Sequence, residues 1–554
     1  MKPFLAALLT AGLLALTACA RTESPETATT AVVVDDSTPQ DGGTLIRRIE
    51  SDLNTLNFVM HNSADEKNVL SYLYDGLVEF DENLQIVPGL AEKWEVSGDG
   101  KTYTFHLNPL ATFEDGVPVK ASDVLFTLKK IVDPASESLQ LAGLFEGFNL
   151  ARSRAIDDRT VSIAFDRPKA SQLLSFSIAV IPEHIYSKGD FKKDFQWKVV
   201  GNGPYKLVRR TAGKEILLRR REDYWRKRPH LDSILFKVIE DDGVAWNAMK
   251  RGDIDEMRMN SDQWNLERAS PLVEKTIDIH RFYYLGYNFI PWNTRDPILS
   301  DKRVRRALAM CLDRTAIINN LYYGTARIIT GPFTPDQWAY NPSVEPIQFN
   351  PVAAQALLGV AGWKDTDADG LLDKDGKPFQ LEFLIKCGNK TSTDQGQIYQ
   401  EALKKIGVKV TIPCVDGATW QSRIQSGKYQ ATFLAWNLDA DPDVFTLFHS
   451  SQFPPNGQNF VYYSNPEVDS LIEEGRVELD LARRTEIYHR LHAALAEDQP
   501  YHWTVQVSTK WGVNRRVKNV KESKGFGLYS WYPGPLDWWI PYRDRKAPAV
   551  TRKP

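Results

Sequence analysis

Cysteine is scarce: four residues in 554, with no C-x-x-C pair, which argues against structural zinc. A formal net charge of −3 argues against a nucleic-acid footprint, and no Lys/Arg run supports one. The segment Phe448, His449, Ser450, Ser451 lacks a G-x-S-x-G or comparable setting, so a Ser/His nucleophile is disfavoured. A hydrolytic enzyme would also need a His/Asp/Glu metal set or an activated nucleophile, and neither is legible; no cofactor is called for. The apolar stretch from Phe4 to Leu16 is too short to span a bilayer.

What is present is the composition of a soluble globular protein, 42% apolar and 25% charged, in a chain too long for one core. Two or three lobes follow. Aromatics at 11%, including 15 Trp, suggest aromatic-lined binding surface as well as core. Lys2 ahead of the Phe4 to Leu16 stretch has the layout of a secretory signal, residues 1–18. Leu16, Thr17, Ala18, Cys19 resembles the lipobox of bacterial lipoprotein precursors, which implies cleavage before Cys19 and lipid attachment to its thiol. Residues 19–40, rich in Thr, Ser, Pro and Glu, read as a flexible tether. An exported, anchored protein is expected. Cys387 and Cys414 each close a strand-like run, and neighbouring strands could bring them within bridging reach; Cys311 lies on an apolar helix face as a buried thiol.

From Gly43 the pattern is mixed α/β. GGTLIRRIE reads as a strand, LAEKWEVSGDGKTYTFHL as a hairpin around Gly98 to Gly100, and FEDGVPVKASDVLFTLKKIVDP as a helix capped by Ser122 and ended by Pro134. FYYLGYNF is a crossing strand and DKRVRRALAMCLDRTAIINNLYYG one helix. LEFLIKC, the helix around IYQEALKKIG and VKVTIPC form a parallel β-α-β unit. The stretch Thr432 to Phe453 stands out: an apolar run to Trp436, expected as a buried strand, then Asp439, Asp441, Pro442, Asp443. Carboxylates just past a strand's carboxyl end, beside a Trp, suit a cationic group on an organic ligand. Asp365, Asp367, Asp369, Gly370 and Asp373 match positions 1, 3, 5, 6 and 9 of a calcium loop, but Gly376 stands where a bidentate Glu belongs, so a polar turn competes with a metal site. His489 and His492, at i, i+3 without a third ligand, read as surface.

The ordered series LAEKWEVSGDGKTYTFHL, FEDGVPVKASDVLFTL, GNGPY, EDYW, MKRGDID, DKRVRRALAMCLDR and YSNPEVDSLIEEGR resembles bacterial extracellular solute-binding proteins of the oligopeptide and dipeptide group, family 5, over roughly residues 41–545. The resemblance implies an α/β, two-lobed periplasmic-binding-protein fold (class II, peptide-binding type) with an extra inserted domain. Ligand-binding domain I would comprise 41–78, 198–290 and 508–545, the inserted domain 79–197, and ligand-binding domain II 291–507, with 546–554 a tail. Strands crossing near Tyr287 and Val507 would act as the hinge. Such proteins deliver ligands to ABC importers, so a small peptide, permease subunits in the cytoplasmic membrane and a lipid anchor are the implied partners of a monomer at the periplasmic or extracytoplasmic face.

In peptide-binding members an Asp shortly after the Trp takes the ligand's α-ammonium group; Asp439 matches that position best and Asp441 is the alternative. Ala435, Trp436 and Asn437, and the loop His61, Asn62, Ser63, Ala64, match the places where ligand backbone pairs with protein backbone, a mode indifferent to side chains. The aromatics of Tyr529 to Trp539 would add burial. Some members place an Arg where Phe433 stands, so Lys386, Lys390 and Arg423 become candidates for the ligand carboxylate. A non-peptide solute, such as a nickel chelate, haem or sugar, is the alternative ligand class.

Overall fold

The strand Tyr501–Asn514 is the spine of the molecule. Its fourteen residues are buried almost without interruption, as expected of a strand covered on both faces. Its second half pairs antiparallel with Glu256–Met259 on one side and Ile277–Tyr283 on the other. Its first half pairs with Gly286–Pro291 and Ala326–Ile328. The ten-stranded sheet continues past Glu256–Met259 through Thr44–Ile49, Ser233–Val238, Glu215–Arg220 and Tyr205–Thr211, and at the opposite end Leu434–Asn437 forms its edge. The computed structural model describes residues 38–138, 140–455, 457–523, 531 and 533–546, and from Pro39 on the chain forms one compact unit. The signal, Cys19 and most of the tether lie outside the described residues, as does the tail after Lys546.

Apolar cores fall on either side of the point where Tyr501–Asn514 changes partners. One set holds residues from Leu45 to Phe282 together with Val513, Val517 and Trp538; the other runs from Tyr287 to Val505. The segment 79–197 supplies the sheet Ala91–Val96, Thr102–Leu107, Thr160–Ala164, Arg154–Ala155 and the helix Ala121–Val132. Its core is continuous with that of the first lobe, since Phe105 and Phe176 share a cluster with Leu73 and Phe236.

Local chemistry explains the elements. Asp241 caps the helix Asp242–Lys250 by accepting from Val244 N–H at 2.8 Å, and Gly252, at φ 74°, lets the chain turn away. Its buried face, Ala245, Trp246, Ala248 and Met249, packs on Met257 and Met259. The G-N-G of GNGPY marks a close approach: a Cβ on Gly201 would lie 1.8 Å from Leu73 O, while Asn202 Oδ1 accepts from Asp75 N–H at 2.7 Å. A fully buried Asp255 accepts from Arg516 at 2.6 and 2.5 Å and from Ile46 N–H at 2.8 Å, pinning the chain after the spine strand to the first strand.

Several expectations change. The helix starting at Ala121 is closed at its N-terminus by Asp123, whose carboxylate accepts from Lys120 N–H at 2.8 Å, so Ser122 lies inside it. FYYLGYNF is two strands, broken at Tyr284–Leu285 where the partners change. The single helix expected over residues 301–324 is Lys302–Met310 and Arg314–Leu321, because Asp313 caps the second by accepting from Ala316 N–H at 2.9 Å. Thr432 to Trp436 is not a buried strand: Leu434–Asn437 is a half-exposed edge. His492 is fully buried, donating from Nε2 to Thr330 Oγ1 at 3.1 Å and accepting from Asn341 N–H on Nδ1 at 3.0 Å; burial lowers its pKa to about 4. Trp531 and Trp538 pack in the first lobe's core, and Trp531 Nε1 donates to Glu256 at 2.7 Å, so they line no ligand; residues 524–530 and 532 lie outside the described residues.

Candidate functional site

Leu434–Asn437 pairs antiparallel with Gly286–Pro291, Trp436 opposite Tyr287 and Ala435 opposite Asn288. Leu438 N–H donates inward to Leu285 O at 3.0 Å. Main-chain groups alternate sides along an antiparallel strand, so Trp436 and Leu434 also face inward, and the N–H and C=O of Ala435 and Asn437 turn to the free edge. Both residues are exposed. Trp436 stacks on Phe289, centroids 6.0 Å apart, and fixes the edge against the second lobe's core.

The three carboxylates of the acidic turn that follows differ in their partners. Asp441 is engaged by Arg484, which donates through both terminal nitrogens at 2.5 and 2.7 Å from the helix Leu481–Asp498. Asp443 accepts from Arg476 at 3.0 Å and lies 3.7 Å from Lys169. Asp439 differs: its main-chain carbonyl accepts from Gln337 Nε2 at 3.0 Å, but among the described residues no donor reaches its carboxylate. It is open to solvent, yet enough protein surrounds it to push its pKa above the ordinary value by desolvation, against the pull of Lys67 and Lys169. Open to water but walled by protein, it has the setting of a group in a cleft.

Lys67 faces it from the first lobe, on the helix Ala64–Leu70; burial lowers its pKa to about 8, with Asp439 opposing the shift. The lobes also touch directly. Arg476 lies 3.4 Å from Glu146, Ala170 N–H donates to Arg476 O at 2.8 Å, and Tyr323 Oη donates to Asp262 at 2.7 Å.

The loop His61 to Ala64 is organised from within. Glu66, fully buried, accepts from Asn62 and Ser63 N–H at 2.8 and 3.1 Å, and from Asn54 and Thr55 N–H at 2.8 and 3.2 Å. Ser63 returns the bond by accepting from Glu66 N–H at 3.2 Å, and His61 Nδ1 donates to Phe58 O at 2.6 Å. Two of this loop's N–H donors are therefore occupied. Among the carboxylate candidates, Arg423 donates to Glu382 at 2.6 Å and to Lys428 O at 2.8 Å, Lys390 pairs with Asp394, and Lys386 is exposed with no acid in ion-pair reach among the described residues. Cys387 and Cys414 are joined across the parallel strands Ile385–Lys386 and Cys414–Val415. Asp365, Asp367 and Asp373 bring carboxylate oxygens within 4.8 Å of one another, while Asp369 turns to Leu371 N–H at 2.7 Å.

Reasoning from the sequence missed Glu66, though S-x-x-E at 63–66 is a capping-box signature. It also missed Lys67, Lys169, Arg476 and Arg484, which carry no local signal because each acts on the acidic turn from a distant segment.

An open sheet edge beside an unpartnered carboxylate, in a molecule whose two lobes share the strand Tyr501–Asn514, is an arrangement suited to capturing a ligand. Residues 85–459 match the family described as bacterial extracellular solute-binding proteins, family 5 Middle, and the chain belongs to that family. It is 27% identical over 519 residues to the oligopeptide-binding protein AppA of Bacillus subtilis, covering 91% of this chain and 92% of that protein. It is also 27% identical over 452 residues to the dipeptide-binding protein of Escherichia coli, covering 77% and 82%. The solved structure of Bacillus subtilis AppA in complex with a nonapeptide superposes with a TM-score of 0.75, covering 91% of this chain and all of that one. NikZ of Campylobacter jejuni in complex with Ni(L-His) superposes at 0.77 with 24% identity and 90% and 99% coverage, a likeness of fold alone. These relatives are substrate-binding proteins. Among the described residues no helix is long and apolar enough to cross a membrane.

Proposed function

We propose that this chain captures an extended peptide between its lobes and hands it to the membrane permease of an ABC importer, without covalent chemistry. The observation that carries the reading is the unpartnered Asp439 carboxylate at the end of a free strand edge. The ligand's main chain pairs with Ala435 and Asn437, and its α-ammonium group sits on Asp439, where partial exclusion of water strengthens the charge-assisted bond. Asp441 is already matched by Arg484 and serves the turn. With two N–H groups of the His61 to Ala64 loop held by Glu66, that loop offers carbonyls more than donors. Lys386 is the remaining candidate for the ligand carboxylate. The peptide names of the relatives and the nonapeptide held by one of them support this ligand class.

The domain division is 41–78, 198–290 and 508–545 against 291–507, with 79–197 inserted and the partner change at Tyr284–Leu285 and Val507–Ser508 as the hinge. The protein acts as a monomer anchored through Cys19 on the extracytoplasmic side. The test is thermal unfolding of the chain truncated after Cys19 against di- to hexapeptides with free or acetylated N-termini. Free-amine peptides should raise the midpoint and acetylated ones should not. A shift with nickel complexes, haem or sugars but no peptide would overturn the ligand class.

A further inference from the structure

A cavity of about 280 Å³ lies in the second lobe and shares no lining residue with the acidic turn. The end of the helix Leu481–Asp498 contributes Ala493, Ala496 and the following Gln499, the spine strand contributes His502 and Trp503, and Arg314 closes the floor. Arg314 is 5% exposed, and among the described residues no carboxylate lies within ion-pair distance of it. Its Nη1 donates to Ile329 O and Trp503 O at 3.2 and 3.0 Å, and its Nη2 to Ile347 O at 2.6 Å. That accounts for three of five N–H groups. The two left over are one on Nε and one on Nη2, charged donors of the kind that a carboxylate accepts from.

The surroundings are also short of partners. Gln499 Oε1 and His502 Nε2 are buried polar atoms without a hydrogen bond. His502 is held neutral by burial and by Arg314, so it adds no charge. Of the other charged lining groups, Arg306 is matched by Glu497 at 3.2 Å, and Glu345 is exposed. The interior thus carries one uncompensated cation, and the walls beside it, Ile329, Ile347 and Val344, are apolar.

We propose that this cavity is a second binding site, taking a small organic carboxylate docked on Arg314. A buried guanidinium without an acid in ion-pair distance among the described residues is costly, and a carboxylate entering the cavity lowers that cost through the donors left unused. Exposed Glu345 leaves two sources open, a simple monocarboxylate or a free amino acid whose ammonium turns towards that residue. The site is independent of peptide capture.

The experiment is saturation-transfer NMR on the chain truncated after Cys19, with propanoate, alanine and uncharged propanamide as probes at equal concentration and ionic strength. Propanoate or alanine should receive saturation at least about tenfold more strongly than propanamide, since only the carboxylates engage the guanidinium. Stronger transfer to alanine that persists in Asp439→Asn assigns the ammonium to Glu345, and stronger transfer to propanoate assigns a simple acid; alanine transfer that disappears in Asp439→Asn belongs to the peptide cleft and, with no transfer to propanoate, overturns the site. Removing Arg314 would release three carbonyls and endanger the fold, so the variant is Ala496→Phe, which fills the cavity and spares the guanidinium. In Ala496→Phe, checked for folding by its melting curve, the signal should vanish. Equal transfer to propanamide, no transfer to either carboxylate, or an unchanged signal in Ala496→Phe would each overturn the proposal.

Discussion

Asp439→Asn and Asp441→Asn should fail in opposite ways. The Arg484 side chain is 5% exposed and that of Asp441 14%, and their contact is bidentate. Removing one member of a buried pair strands the other charge, at a cost of about 3–5 kcal/mol; an Asn that still accepts one bond keeps the loss near the lower bound, about 3 kcal/mol. A lobe of roughly 200 residues shifts by about 2 °C per kcal/mol, so Asp441→Asn should lower the midpoint of the unliganded protein by roughly 6 °C. Asp439 has no donor to lose, and its carboxyl is already pushed above its ordinary value by desolvation. Asp439→Asn should therefore leave the midpoint unchanged or higher. In binding the order reverses: a lost charge-assisted bond of about 1.5–3 kcal/mol weakens free-amine peptides roughly 10- to 150-fold in Asp439→Asn. Scanning calorimetry gives the first quantity and titration calorimetry the second. An Asp441→Asn protein with an unchanged midpoint and lost amine binding would refute the assignment.

Asp75 is buried and accepts from Tyr224 Oη and Trp225 Nε1 at 3.0 and 3.2 Å, and burial, with Glu79 adding to it, raises its pKa to about 7. The folded state therefore holds a proton that the unfolded chain releases near pH 4, so stability falls as pH rises from there through about 7, by about 4 kcal/mol. Urea titrations at pH 5 and pH 8 should show the fall in the native protein and a flatter profile in Asp75→Asn. The Cys387–Cys414 bridge closes a loop of 27 residues in sequence separation, worth about 3.5 kcal/mol by the chain-entropy relation, and a Cys387→Ser/Cys414→Ser variant should unfold at correspondingly lower urea. Arg476→Ala removes the contact to Glu146 across the lobes, together with the pair to Asp443 within the second lobe; at about 1 kcal/mol for a partly exposed pair, it should enlarge the radius of gyration of the unliganded protein in X-ray scattering, and no enlargement would mean that the Glu146 contact does not hold the lobes together.

The residues differ in how much of this they announced. The hairpin Ala91–Val96 and Thr102–Leu107 and the parallel β-α-β unit were legible because their signals are local: alternation around a Gly turn, and apolar runs flanking a helical repeat. The Cys387 and Cys414 placement followed from that unit. The exposure of Leu434–Asn437 was not legible, since an apolar run reads alike whether a strand lies inside a sheet or at its rim. The division of labour in the acidic turn was also hidden. The resemblance ranks Asp439 ahead of Asp441 by its spacing from Trp436, but nothing local to the turn shows that Arg484, some forty residues later, is folded against Asp441. Long-range ion pairs leave no periodicity.

The spine strand also dictates when the molecule can be finished. Residues 501–514 pair with segments that begin at Glu256, Ile277, Gly286 and Ala326, and they supply the middle of the sheet rather than its rim. Until they arrive, Glu256–Met259 has a partner only on its Thr44–Ile49 side, and Gly286–Pro291 and Ala326–Ile328 have no strand between them. The ten-stranded sheet therefore cannot be completed before residues 501–514 emerge, whereas the buried core from Ile49 to Phe236 draws on none of them. Joining the two lobes through this strand is a late step over long sequence separations, which predicts slow completion of the sheet.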